Sequence, residues 1–197
     1  PNPNNPTNPN TGTPGNDSMN GGTGNDSMTG GAGNDSMTGG AGNDSMTGGI
    51  GDDQLLGGIG DDGIFGGEGI DLVNGNQGND AINGNQGNDI VRGGKGDDLV
   101  RGGKDNDMVY GDLGNDNVFG DNGEDTVTGG GGNDSVTGGM GSDRFLFDTN
   151  AVFSADSMGV DILTDFVAGT DKIVLDQTTF TALTNSAIGV LQASNFA

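Results

Sequence analysis

Residues 21–29 read GGTGNDSMT, residues 30–38 and 39–47 both read GGAGNDSMT, and residues 48–56 read GGIGDDQLL. The same nine-residue period recurs as GGKGDDLVR from Gly93 and GGGGNDSVT from Gly129. It runs from Gly12 to Leu146 without insertion or deletion, in fifteen copies of the template G-G-x-G-N/D-D-x-U-x, where U is apolar. Position six is always aspartate: Asp17, Asp26, Asp35, Asp44, Asp53, Asp62, Asp71, Asp80, Asp89, Asp98, Asp107, Asp116, Asp125, Asp134 and Asp143. Position eight is always apolar: Met19, Met28, Met37, Met46, Leu55, Ile64, Val73, Ile82, Val91, Val100, Val109, Val118, Val127, Val136 and Phe145. A disordered linker has no reason to hold such a register.

Each copy has a glycine-rich half suited to a tight turn, with positive φ expected at positions one, two and four. The other half is a β-favouring x-U-x triplet, whose central side chain points away from its neighbours. Two copies make one coil of eighteen residues: turn, strand, turn, strand. Coils stacking at strand spacing give an all-β parallel solenoid of about 7.5 coils, roughly 35 Å long. Position eight from both sheets meets inside as a thin apolar ladder. Position six falls beside position six of the next coil, so Asp26 lies by Asp44 and Asp35 by Asp53. Two vertical columns of carboxylates result, and they repel unless cations sit between their members. Glycine-rich turns also present backbone carbonyls, and calcium takes six to eight hard oxygen ligands. Magnesium suits the pattern less, because it demands tight octahedral geometry and keeps its waters. The position-six aspartates are therefore the candidate metal ligands. Eight turns on one edge and seven on the other leave up to about 13 gaps for Ca2+.

Composition agrees. The 197 residues include 44 glycines and only 29% hydrophobics, with a formal net charge of -23. Without a ligand, such a chain has the signature of disorder. Loading about thirteen divalent ions would bring it close to neutrality. Six basic residues against 29 acidic ones exclude nucleic acid as a direct partner, since phosphate binding needs Lys and Arg clusters. Cys and His are both absent, which removes disulfides, thiolate metal sites, the commonest general base and H-E-x-x-H chemistry. The chain reads as non-catalytic. No apolar run reaches the length of a membrane span. Pro1 opens the chain without Met or a signal peptide, which points to a fragment or a processed form.

The template resembles the RTX (repeats-in-toxin, hemolysin-type) calcium-binding nonapeptide. That resemblance implies a right-handed parallel β-roll with calcium held between turns by the position-six aspartates and turn carbonyls. It also implies a bacterial protein exported by a type I secretion machinery that reads an uncleaved C-terminal signal. Such a chain is secreted or sits at the extracellular cell surface, and folds on meeting calcium there. Its role would be structural, secretion-assisting or cell-surface, with self-association or surface-layer contacts open. The alternative is a non-catalytic appendage of a larger adhesin or exoenzyme.

Residues 1–11 are Pro- and Asn-rich and read as a linker or tail, and residues 12–146 form the roll. Residues 147–197 read as a C-terminal cap. GSDRFLFDT and GVDILTDFVAGTDKIVL are similar to the region that closes many RTX arrays. Within that cap, Asp161, Asp165 and Asp171 read as turn or capping residues rather than ligands. Asp105 replaces glycine at position four, and Thr13, Asn76, Asn85, Asp112 and Asp121 replace the second glycine. Asp can visit the left-handed region that position four requires. Ile70 at position five predicts looser sites around Asp71, and Asp17, with a neighbour on one side only, is the weakest candidate ligand. Ice binding, which some RTX adhesins perform with threonine rows, is set aside because position three carries no such row. Phe65, Tyr110 and Phe119 at position nine are the outward aromatic candidates for adhesion.

Overall fold

The computed structural model describes residues 10–147 and 159–175. Most of the expected N-terminal tail, and the cap residues 148–158 and 176–197, lie outside the described residues. The chain alternates between two nine-stranded sheets, and consecutive strands go to opposite sheets. All pairings are parallel and join residues eighteen apart through the repeats, as in Val73, Val91 and Val109 in one sheet and Ile82, Val100 and Val118 in the other. The result is a β-solenoid, as the period predicts.

All fifteen position-eight side chains, Met19 through Phe145, form one continuous core, and none is more than 8% exposed. Burying one such side chain is worth about 1.5–3 kcal/mol. At the C-terminal end Phe147, Leu163 and Phe166 pack on this ladder, with Phe166 edge-to-face on Phe145 at a centroid distance of 5.8 Å. The strands Ile162–Leu163 and Lys172–Leu175 add the last member to each sheet. At the other end Asn10–Thr11 pairs with Met28 and Thr29.

Two expectations need correction. The strands span six residues, not three: fourteen of them, from Ser18–Thr23 to Ser135–Met140, cover positions seven to nine and then one to three. Their backbone stays paired with the neighbouring coil through the first glycines, so the turn shrinks to positions four to six. The glycine requirement at position one is also not conformational. From the second repeat onward positions two and four take positive φ, as at Gly94 (117°) and Gly96 (133°), but no position-one glycine does. Position one faces inward, and a Cβ on Gly93 would collide with the Asp98 carboxylate and lie 2.6 Å from the Gly111 carbonyl oxygen. It is glycine for want of room. Five of the six substituted positions adopt the left-handed region, Asn76, Asn85, Asp105, Asp112 and Asp121 having φ between 77° and 80°, whereas Thr13 does not take positive φ.

Outside, the fold builds two similar clusters on opposite faces. Arg92 stacks 4.6 Å over the Tyr110 ring and donates through Nε to Asp112 at 2.9 Å. Arg101 stacks 4.7 Å over Phe119 and donates through Nε to Asp121 at 2.9 Å. A second donation from each guanidinium makes both ion pairs bidentate.

Candidate metal centre

All fifteen position-six aspartates, Asp17 through Asp143, follow one pattern, set by where the turn aims the side chain. The carboxyl folds inward beneath the position-one glycine of its own repeat. From Asp35 to Asp143 these side chains are at most 3% exposed. They stack in two columns, one along Asp17, Asp35 and Asp53 to Asp143, the other along Asp26, Asp44 and Asp62 to Asp134. Each rung is a hydrogen bond: the NH of one aspartate donates to Oδ1 of the aspartate eighteen residues on. Asp35 donates to Asp53 at 2.8 Å, Asp98 to Asp116 at 2.9 Å and Asp125 to Asp143 at 3.0 Å. This contact accounts for one carboxylate oxygen only.

The other oxygen has no donor. Oδ2 of Asp26 through Asp134, thirteen oxygens in all, is buried without a hydrogen-bond partner. A buried carboxylate oxygen left alone is costly. Each of these oxygens from Asp26 to Asp125 flanks the same small space as the position-one carbonyl of the next coil, the space that a Cβ on the position-one glycine would fill. Glycine leaves that cradle open, and a hard cation is the ligand that unpaired carboxylate and carbonyl oxygens call for. The residues therefore fit calcium. Among the described residues no three acidic side chains gather as a metal-holding group, so a cation held here would need backbone carbonyls to complete its coordination shell.

The electrostatics agree. Burial pushes Asp62, Asp80, Asp89 and Asp125 up to about 6, Asp71, Asp98 and Asp116 up to about 7, and Asp107 up to about 8. The NH from the preceding coil opposes that rise, and neighbouring carboxylates add to it. Asp44, Asp53, Asp134 and Asp143 are raised for the same leading reason. Burial in the folded roll thus disfavours the ionised form of each of these carboxylates.

The family model for the RTX calcium-binding nonapeptide repeat matches overlapping segments that together run from residue 11 to residue 145. The chain belongs to that family. No curated protein matches it. Calcium is accordingly the expected partner, and the RTX roll is a non-catalytic, calcium-binding fold. Among the described residues no helix is long and apolar enough to cross a membrane.

Departures from the RTX template sort by position. Asp17 differs from its fellows, because its carboxylate accepts from the NH and hydroxyl of Thr13, the residue replacing the second glycine there. Position five forms a second, exposed ladder that runs the opposite way: its side-chain oxygen accepts from the NH of the following coil. Asn79 accepts from Asp97 at 2.8 Å, and Asp97 from Asn115 at 2.8 Å. Ile70 NH donates such a bond to Asp52 Oδ1 but has no side-chain oxygen to extend the ladder. In the cap, Asp165 caps the NH groups of Gly138 and Gly139, and Asp171 accepts from Val167. The sequence reading missed the position-one cradle, whose signal was invariant glycine at a position that needs no special φ.

Proposed function

We propose that this chain is a calcium-dependent roll that folds when it meets calcium outside a bacterial cell, and serves there as a structural, secretion-assisting or cell-surface module. The thirteen buried carboxylate oxygens without a donor carry this reading. The position-six aspartates hold the ions, up to about 13, together with turn carbonyls of adjoining coils. Bound calcium supplies the positive charge and oxygen coordination that let the carboxylates ionise while buried. The chain's own contribution is placement: glycine at position one keeps the cradle open, and the Oδ1 rung fixes the orientation of each carboxylate. In the cytosol, where calcium is scarce, the same columns repel and the chain stays unfolded, a state suited to type I export. Binding energy then becomes folding energy.

Calorimetric titration of chelator-treated protein tests this. The expected result is uptake of about a dozen calcium ions per chain in step with folding, and no comparable uptake of magnesium. Uptake of one or two ions, or equal response to magnesium, contradicts it. A second reading, the appendage of a larger adhesin or exoenzyme, is favoured by one surface feature. Leu72, Ile90 and Met108 are stacked on neighbouring strands of one sheet, each about 40% exposed. Calcium-dependent self-association in sedimentation, abolished by Ile90→Ser, would support it.

A further inference from the structure

Twelve of the thirteen unpartnered oxygens face a gap closed by another position-six aspartate of the fifteen copies. The thirteenth, Oδ2 of Asp134, lies at the top of its column, beyond which the nine-residue period has ended. Asp134 is 2% exposed. What lies above it is Gly159–Thr164, twenty-seven residues on at Asp161 instead of eighteen, and this segment repeats the relations of an ordinary coil. Asp134 NH donates to Asp161 Oδ1 at 3.2 Å, the position-six rung. Val160 NH donates to Asn133 Oδ1 at 2.9 Å, the position-five rung. Ile162 NH donates to the Asp134 carbonyl at 2.8 Å, as Ser135 does to Asp116. Gly159 has φ of 66° and sits directly on the Gly132 carbonyl, as Gly141 sits on that of Gly123. Leu163 pairs with Val136 and packs on the core.

The other column ends differently. Asp171 takes the Asp143 NH on Oδ1 at 3.2 Å, but its Oδ2 accepts from Val167 at 2.7 Å. Gly169 stacks on nothing. That carboxylate closes its column with a turn of its own chain, much as Thr13 closes Asp17 at the opposite end.

We propose that Asp134 and Asp161 bound a further calcium site, formed between the last full repeat of that edge and the cap, while Asp143 and Asp171 do not form one. The site rests on the calcium reading given above and adds to it a ligand, Asp161, outside the fifteen repeats. The inserted residues between the repeat and the cap change the sequence spacing without changing the rung.

Calcium content per chain, measured by atomic emission after gel filtration in calcium buffer, tests the assignment on the full chain. Wild type, Asp161→Asn and Asp171→Asn are compared, with far-ultraviolet circular dichroism to follow the fold. Asp161→Asn is expected to carry one calcium fewer than wild type, and Asp171→Asn the same number as wild type. An Asp161→Asn variant with the full complement would overturn the site. Equal losses in both variants would overturn it too, since they would mark the cap as a structural support alone. A wild-type chain without calcium would instead remove the calcium reading beneath it.

Discussion

The coils between Ser18 and Ile50 and those between Ile90 and Asn122 share one backbone plan but are held together differently. The first set has a core of Met19, Met28, Met37 and Met46, glycine at position two, and serine and threonine outside. Methionine is unbranched and adaptable, so it fills this narrow interior without favouring the strand conformation. The second set has Val91, Val100, Val109 and Val118, whose β-branched side chains favour a strand. It also carries the two Arg–aromatic–aspartate clusters that tie one coil to the next. The carboxylate columns run through both sets unchanged. The comparison teaches that the carboxylate columns are the feature common to both sets, while the side-chain contacts that tie coil to coil outside the core are concentrated in the second.

The largest expected effect comes from closing a cradle in each region. Gly93→Ala places a methyl against Asp98 Oδ2 and the Gly111 carbonyl, and Gly30→Ala does the same at Asp35 and Gly48. Overpacking costs about 1–3 kcal/mol, and loss of an ion adds to it. Gly93→Ala should disrupt the whole central set and shift the calcium midpoint severalfold. Gly30→Ala should release only the first coils and leave hydrogen-exchange protection beyond Gly57 intact. Equal damage from both would dissolve the distinction between the regions.

Acid tests it next. Asp98, Asp107 and Asp116 have folded-state values of about 7 to 8 against 3.8 for an ordinary aspartate. A carboxyl raised on folding favours the folded state below its unfolded value, and that contribution is lost as pH rises through the folded value. Chelated protein should therefore gain β structure as pH falls from 8 towards 4, and lose it on return. Calcium should reverse the trend, binding more tightly as pH rises because proton and ion compete. Circular dichroism at fixed chelator across this range checks the sign.

The smallest effect sharpens the comparison from outside. Arg92→Ala with Arg101→Ala removes two half-exposed ion pairs and two ring contacts, about 0.5–1 kcal/mol for each contact. The double variant should melt a few degrees lower in calcium. Its central coils should exchange amide hydrogens at rates nearer those of the first coils, which should not change.

Much of this was legible because the period is strict. Fifteen apolar residues at position eight admit only one inward face, and all fifteen lie there. The columns follow from eighteen residues per coil, and the rung from Asp35 to Asp53 is that register made visible. What stayed hidden depends on three-dimensional clearance or on broken spacing. Glycine at position one looks like a turn residue until the depth of Asp98 beneath Gly93 is known. Arg92 and Asp112 are twenty residues apart and meet only because their strands are neighbours, with Arg92 opposite Tyr110. Asp161 is twenty-seven residues from Asp134, so a nine-residue ruler with eighteen-residue coils passes over it. Of the outward aromatics at position nine, Phe65 is exposed as expected, but Tyr110 and Phe119 lie under guanidinium groups, and the apolar row of Leu72, Ile90 and Met108 is at position seven.

Far-ultraviolet circular dichroism of exhaustively chelated protein at neutral pH, followed through a calcium titration with a parallel magnesium titration, tests the central claim most directly. The account predicts a disordered spectrum that converts cooperatively to a β spectrum with calcium and does not convert with magnesium. A β spectrum that survives chelation would contradict it, because thirteen buried carboxylate oxygens would then need some other partner.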